Sequence, residues 1–328
     1  MSGKRVLITG ATSGLGLATA MLLAERGAEV VMVGRDRTRS NFMRTEVAKG
    51  AAGNAPILFL ADLSSQADIH RLAERVHGCF SRIDVLINSA AAVFAEREVT
   101  PDGFEKTFAV NHLAPLMLTH LELDLVYAAP AGNILTASSE FHSGELDFSN
   151  LQGERQCSWL GAYERSKLCN ILFTYELSRH LAGSTITANC FSPGPTLTRL
   201  GDNMRGLPAA VPWLLKRIPS LLAFPEGAAR TPVYVPSSPD LDGVTGKFFM
   251  RCRETRTKQI TYDTSVAVRL WNLSQALYES RAGAGSRTEQ GRQVEGKTIS
   301  AIFIMTTSLS GGFAFGGRWG IFFTMNLI

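Results

Sequence analysis

Tyr163 and Lys167 stand four residues apart in "GAYERSKLCN" (161–170), a stretch whose pattern otherwise reads as helix. At that spacing two helical side chains lie side by side, about 5–6 Å apart. The pair could do proton chemistry. A free Tyr titrates near ~10, and an adjacent ammonium favours the phenolate and brings the group toward working pH. Taken alone, the pair is better explained as a solvated helix face with a partly buried Tyr. What else the chain carries has to decide.

A second set of candidates lies at the start of the chain. "TGATSGLG" (9–16) follows a short apolar run and opens a helical one. Gly10, Gly14 and Gly16 allow a tight turn and let a pyrophosphate approach the helix N-terminus, where free N–H groups and the helix dipole favour an anion. Thr12, Ser13 and Leu15 lie within the same turn and join the expected cofactor contacts. A Gly-rich turn alone is a weak signal; the strand–turn–helix context strengthens it. The second strand ends in "VGRDR". A carboxylate there would bind a ribose 2′-hydroxyl, whereas a nearby Arg would accommodate a 2′-phosphate. Arg35 and Arg37 favour NADP(H), with NAD(H) as the second choice. Asp36 dissents, or simply begins the next helix.

Elements that could position these groups alternate over the first 190 residues. Strands are expected at "RVLIT" (5–9), "AEVVMVG" (28–34), "APILFLAD" (55–62), "IDVLIN" (83–88), "GNILTASS" (132–139) and "TITANCFS" (185–192). Helical patterns cover 15–27, with Gly27 as a C-cap, and about 65–82. Strands apolar nearly throughout and separated by helices indicate a parallel sheet covered on both faces. The expected fold class is therefore α/β: a doubly wound parallel sheet with right-handed crossovers, a Rossmann fold in one domain with a C-terminal extension.

Two later stretches change character. Residues 200–224 are rich in Leu, Trp and Pro, with Lys216 and Arg217 as the central charges. They suit a surface helix pair packed on the sheet, or a lid (about 200–230) over an apolar substrate; the two readings are compatible. "RAGAGSRTEQGRQVEGK" (281–297) has linker composition. Residues 298–317 follow without a charge. That length could span a bilayer, but the Ser, Thr and Gly content makes a poor span. A loosely packed extension is the preferred reading and a membrane anchor the alternative. The expected division is 1–280 for the folded domain and 281–328 for linker and tail.

Composition narrows the classes. With 328 residues, 45% hydrophobic and 19% charged, the chain is an ordinary globular protein. A net charge of +4 with no Lys/Arg block argues against nucleic acid as a partner. Five scattered cysteines without C-x-x-C spacing point to reduced thiols in the cytoplasm, and neither they nor six dispersed histidines form a metal-ligand pattern. The N-terminus runs directly into a strand, so no signal segment is expected.

Gly10-x3-Gly14-x-Gly16, a Ser at the end of a later strand and Tyr-x3-Lys on the next helix together resemble the short-chain dehydrogenase/reductase family over roughly residues 3–280. The extended segment between Ser139 and Tyr163, the continuation "SKLCNILF" and "SVAVRLWNLSQAL" (265–277) look most like its retinol dehydrogenase-like branch. The resemblance implies Tyr163 as general acid/base and Lys167 as the charge that tunes it and holds the nicotinamide ribose. It implies Ser139 as a hydrogen-bond partner of the substrate oxygen, and Asn111 of "FAVNHLAP" as holder of a water relay to the Lys. By itself, an Asn inside a helix is more often a local structural residue. Asp62 and Leu63 match positions near the adenine; Asn88 and Ala90 match the turn after the fourth strand. Pro193, Gly194 and Thr198 of "SPGPTLT" match the nicotinamide carboxamide site.

One stretch departs from the family: its N-N-A-G reads Asn88-Ser89-Ala90-Ala91 here. A methyl replaces a glycine hydrogen close to the cofactor, and a hydrogen-bonding amide is lost, so weaker cofactor binding or slower turnover is expected. The reading that follows is hydride transfer between NADP(H) and the carbonyl or alcohol of an apolar small molecule of retinoid, steroid, lipid or secondary-metabolite type. The alternative is a dinucleotide-binding sensor or scaffold on the same fold. A homodimer through the long helices rests on analogy with the family alone.

Overall fold

The computed structural model describes residues 1–155, 158–194 and 225–285. The chain divides into a compact unit, Met1–Ser286, and a second, Arg287–Ile328. The second unit, and with it the apolar tail, lies outside the described residues, as does the 200–224 stretch of the expected lid.

The first unit is one eight-stranded sheet. Its strands are β1 (Arg5–Thr9), β2 (Glu29–Gly34), β3 (Ile57–Leu60), β4 (Val85–Asn88), β5 (Asn133–Ala137), β6 (Thr187–Ser192), β7 (Phe248–Met250) and β8 (Arg253–Glu254). The order is β3-β2-β1-β4-β5-β6-β7-β8. All pairs are parallel except β7 with β8. Apart from β1 residue Arg5, β1, β4 and β6 are buried along their whole length. That burial explains the apolar runs of β1 and β4, since helices cover both faces of a parallel sheet, whereas β6 buries Thr187, Asn189 and Ser192 as well.

The covering helices are α1 (Gly14–Glu25), α2 (Arg37–Gly50), α3 (Gln66–Cys79), α4 (Lys106–Phe108), α5 (Ala114–Leu121), α6 (Leu123–Tyr127) and α7 (Trp159–His180). Helix α1 ends where Gly27, at φ +80°, donates to the Ala24 carbonyl and Ala28 donates to Leu23. These two bonds close a Schellman motif that needs glycine's freedom. Helix α3 is shorter than its pattern suggests. Ser65 caps its start by accepting from the Asp68 N–H, and Phe80 is already extended. A π-helical turn, Ala109–Leu113, joins α4 to α5.

Beyond β6 the chain adds elements that the pattern does not announce. The β7–β8 hairpin turns through Arg251 and Cys252, both at positive φ. The terminal helix spans Thr264–Gly285, five residues past the expected linker boundary. It packs on α7, burying Ala267, Leu270 and Trp271. Trp271 stacks between Phe173 and His180.

Candidate active site

The sheet order sets β1, β4, β5 and β6 side by side, so their C-terminal ends share one edge. Every predicted site residue in the described chain sits on that edge, on the turns leaving it or on a helix beside it. The Gly-rich turn leaves β1. Gly10, at φ +68°, lies so close to the β4 turn that a Cβ would meet the Ala90 Cα at 2.8 Å, and a Cβ on Gly16 would meet the Gly10 carbonyl oxygen at 2.4 Å. Gly14 starts α1 at φ +48°. Ser13 occupies the N-cap but its side chain caps no N–H, and no acidic residue stands in the first turn. With Thr12 and Leu15 they form a cradle whose closeness only glycine allows and whose helix N-terminus carries no side-chain cap. That arrangement fits a pyrophosphate.

At the end of β2, Arg35 and Arg37 are exposed. Asp36 is the N-cap of α2, its carboxylate accepting the Arg39 N–H at 2.7 Å. The carboxylate therefore works as a helix cap, the second of its two sequence readings. Arg39, which the sequence did not single out, reaches back to donate to the Thr12 carbonyl at 3.1 Å. At the end of β3, the Asp62 carboxylate accepts from both the N–H and the hydroxyl of Ser64, at 2.9 and 2.8 Å. Leu63 lines a small pocket with Ile69, Phe104 and Met117.

The departing turn after β4 is tied to β1. The Thr9 hydroxyl accepts the N–H groups of Ser89 and Ala90 at 3.0 and 3.1 Å. Asn88 is buried and donates to the Thr119 hydroxyl. Asn111, fully buried in the π-helical turn, grips Ala92 from both sides: Oδ1 accepts its N–H at 2.7 Å and Nδ2 donates to its carbonyl at 3.0 Å. Nδ2 also donates to the Ser166 hydroxyl, which in turn donates to the Tyr163 carbonyl. The Asn111 side chain thus fixes the turn after β4 to α7, structural work that its sequence allowed.

Ser139 follows β5. It accepts the Phe141 N–H at 3.0 Å, so it closes a turn, and its hydroxyl lies near enough to Tyr163 to act on that phenol. Tyr163 and Lys167 lie on α7, whose start is capped by the Ser158 hydroxyl accepting from Gly161. Lys167 is 2% exposed. Its ammonium sits 5.6 Å from the centroid of the Tyr163 ring and donates to the Ala137 carbonyl at 3.2 Å. Burial brings Lys167 down to about 8. For Tyr163 the direction differs from the sequence expectation. Burial raises the phenol, the Ser139 hydroxyl pulls it down, and the Glu140 charge raises it again. Burial is the largest of these influences on the phenol.

On the β6 side, Pro193 and Gly194 are half-buried, and Gly194, at φ +75°, donates to the Ser192 hydroxyl at 3.1 Å. Thr198 lies outside the described residues. Ser138 and Asn170 were not foreseen: Ser138 donates to the Lys167 carbonyl at 2.7 Å, and Asn170 donates to Ala137 at 3.0 Å. A cavity of about 590 Å³ between α1 and the helix Arg230–Ser237 holds none of these residues. Converging strand ends and a buried Lys beside a Tyr locate chemistry better than cavity size does. Among the described residues, no helix is long and apolar enough to cross a membrane.

The sequence matches the short chain dehydrogenase family over residues 4–206. Retinol dehydrogenase 14 of Mus musculus is 37% identical over 294 residues, covering 84% of this chain and 86% of that protein. Retinol dehydrogenase 13 of Mus musculus is 34% identical over 294 residues, covering 87% and 86%. A crystal structure of an uncharacterized protein from Mycobacterium Paratuberculosis superposes with a TM-score of 0.68 at 30% identity, covering 85% of this chain and 94% of that one.

Proposed function

The chain belongs to the short-chain dehydrogenase family, in its retinol dehydrogenase-like branch, and is an oxidoreductase of alcohol and carbonyl groups; from that premise we propose that it moves a hydride between NADP(H) and an apolar small molecule, with Tyr163 as the general acid/base. The observation that carries the proposal is the constellation at the end of β5: buried Ser139 near enough to Tyr163 to lower its phenol, with buried Lys167 one turn further along the same helix.

In the reducing direction, Tyr163 gives its proton to the substrate oxygen as negative charge develops there, and the Ser139 hydroxyl is a second donor to the same oxygen. A buried ammonium beside the phenol offsets the charge left on Tyr163 and so eases release of its proton to the substrate oxygen, the proton then being restored from solvent. Bound nicotinamide would supply or accept the hydride. The Gly10–Gly14–Gly16 cradle and the open start of α1 would hold its pyrophosphate, and Lys167 and the turn at Pro193 and Gly194 its nicotinamide end. Asp62, Leu63, Asn88 and Ala90 would line the adenine and ribose side.

Two observations support the finer terms. Asp36 is engaged as a cap while Arg35 and Arg37 stay exposed at the β2 end, which favours a 2′-phosphate over a bare ribose hydroxyl. Phe141 and Leu160, 56% and 44% exposed, lie close in sequence to Ser139 and Tyr163 and offer apolar surface for a substrate. Retinoid, steroid, lipid-aldehyde and secondary-metabolite carbonyls all suit such a surface.

The test is oxidation of NADPH and of NADH, followed by the absorbance of the reduced nicotinamide, against a panel of apolar aldehydes and ketones. Tyr163→Phe is run alongside. Turnover with NADPH that disappears in the variant supports the enzyme, its cofactor and its acid together. Binding of NADPH without turnover in either direction would instead favour a dinucleotide-binding sensor. Fractionation of the full chain against one ending at Ser286 tests association of the tail with membranes.

A further inference from the structure

We propose that Ser274, His112 and Asn170 form a relay of positioning residues that fixes Lys167 through the Ala137 carbonyl, making the terminal helix a working part of the catalytic site. The inference rests on the reading of Lys167 given above.

Four contacts run in sequence. Ser274 Oγ lies 2.9 Å from His112 Nε2, and His112 Nδ1 lies 3.4 Å from Asn170 Oδ1. Asn170 Nδ2 lies 3.0 Å from the Ala137 carbonyl oxygen, and Lys167 Nζ lies 3.2 Å from that same oxygen. Every side chain in the chain is at most 2% exposed.

The direction of each bond follows from the one before it. A carbonyl oxygen only accepts, so Asn170 must turn its NH2 to Ala137 and its oxygen to His112. His112 Nδ1 must then carry the proton, the longest and weakest link in the series. Burial drops His112 to about 4, so the ring is neutral and its Nε2 is an acceptor. Ser274 therefore donates to it. The polarity runs one way, from the terminal helix to the end of β5, and a neutral His112 keeps that polarity across the working pH range.

The end of the relay is what gives it a role. Asn170 and Lys167 both donate to the Ala137 oxygen, and Ser138, the residue after β5, donates to the Lys167 carbonyl. The ammonium is thereby held by one N–H, which leaves two for other acceptors. The origin of the relay lies in the π-helical turn. Successive residues of a helical turn project in different directions. Asn111 faces Ala92 and Ser166, while His112 faces Asn170 and Ser274. The surroundings of His112 are Phe108 and Phe173. In that setting a polar series costs desolvation that an apolar filler would not, which argues against packing as its purpose.

The experiment reads Lys167 directly, by ¹³C-lysine NMR of the full chain across a pH series, with NADPH affinity measured in parallel. Among the described residues, burial alone moves Lys167, and Tyr163 is the titratable side chain beside it. Asn170→Ala removes the competing donor and admits water, so the Lys167 titration moves up from about 8 toward the ordinary lysine range. NADPH affinity falls about three- to tenfold, one hydrogen bond's worth. Ser274→Ala moves both readouts the same way by less, Ser274→Thr restores them, and Ser274→Ala adds nothing on top of Asn170→Ala. A Lys167 titration unmoved by Ser274→Ala, or additive effects of the two alanines, would overturn the relay. Because the titration needs no turnover, a wild-type chain that neither reduces carbonyls nor oxidises alcohols would defeat the proposed function and leave the relay to be judged on its own.

Discussion

Asp36 and Arg39 hold each other across the first turn of α2, the carboxylate accepting the Arg39 N–H at 2.7 Å while the Arg39 guanidinium donates to Thr12 in the Gly-rich turn. The acidic residue at the β2 end is thereby spent on the helix, and the basic side chains are left to meet a nucleotide. Asn caps helices about as well as Asp. Asp36→Asn is therefore expected to leave the preference for NADPH over NADH unchanged, and Asp36→Ala to cost about 1 kcal/mol of stability without reversing it. Arg35→Ala should weaken NADPH about tenfold and NADH hardly at all, as loss of a charge-assisted hydrogen bond would. Titration of both cofactors against the three variants checks this. A swing toward NADH in Asp36→Asn would mean that the carboxylate had been selecting the nucleotide after all.

Glu140 follows Ser139 and its charge raises the Tyr163 phenol. Its backbone N–H is anchored to the Ser192 hydroxyl, so the residue cannot readily swing away. With Tyr163 as the proposed base, alcohol oxidation needs the phenolate, and its rate is expected to climb with pH through the Tyr163 titration. Removing the negative charge lowers that titration. Glu140→Gln should accordingly shift the rising limb of the kcat/KM profile to lower pH, with the plateau little changed. An identical limb in wild type and variant would exclude Tyr163 as the titrating base or Glu140 as its neighbour.

Far from the site, Glu122 is wholly buried, with both carboxylate oxygens lacking a hydrogen-bond partner. Burial raises it to about 8, and His77, 3.8 Å away, pulls the other way. A carboxyl whose folded value is raised stabilises the fold fully below its unfolded value and loses that contribution as pH climbs through the folded one. His77, raised by its partners Ala73 and Asp124, has the same sign. Stability should thus decline between about pH 4.5 and 8, by on the order of a few kcal/mol at ~1.4 kcal/mol per unit. Glu122→Gln should flatten the decline. Urea denaturation at pH 5, 7 and 9 measures it, and parallel curves for the two proteins would show that Glu122 ionises freely.

The strands at the site were legible because each is an apolar run ended by Gly, Asn or Ser, and the Tyr163–Lys167 spacing states its own geometry. Much of what supports them was not. A turn through Arg251 and Cys252 carries neither Gly nor Asn, and strands of three and two residues are too short to show a period, so β7 and β8 passed unseen. The π-helical turn has no sequence signature, and nothing in "FAVNHLAP" tells that Asn111 and His112 bond different neighbours. Arg39, Ser138 and Asn170 are ordinary polar residues until the fold brings them to Thr12, Lys167 and Ala137. Tyr163 was misjudged in direction because proximity to Lys167 is visible in a sequence and the depth of burial is not.

The turn at residues 88–91 offers the sharpest test of how this chain differs from its family. Thr9 holds the N–H groups of Ser89 and Ala90, and Gly10 presses against the Ala90 Cα. The turn is therefore fastened to the cofactor cradle and cannot retreat from an added methyl. Ala91→Gly removes the one methyl that the family lacks there, and should tighten NADPH binding a few-fold, at a cost of about 0.5–1 kcal/mol in backbone entropy. Gly10→Ala does the reverse: its Cβ would stand 2.8 Å from the Ala90 Cα, on a residue held at φ +68°. It should lose most NADPH binding and lower the melting temperature together. Calorimetric titration of the two variants separates the cases. If Ala91→Gly binds no tighter than wild type, the methyl is accommodated, and the departure from the family pattern is neutral for the cofactor.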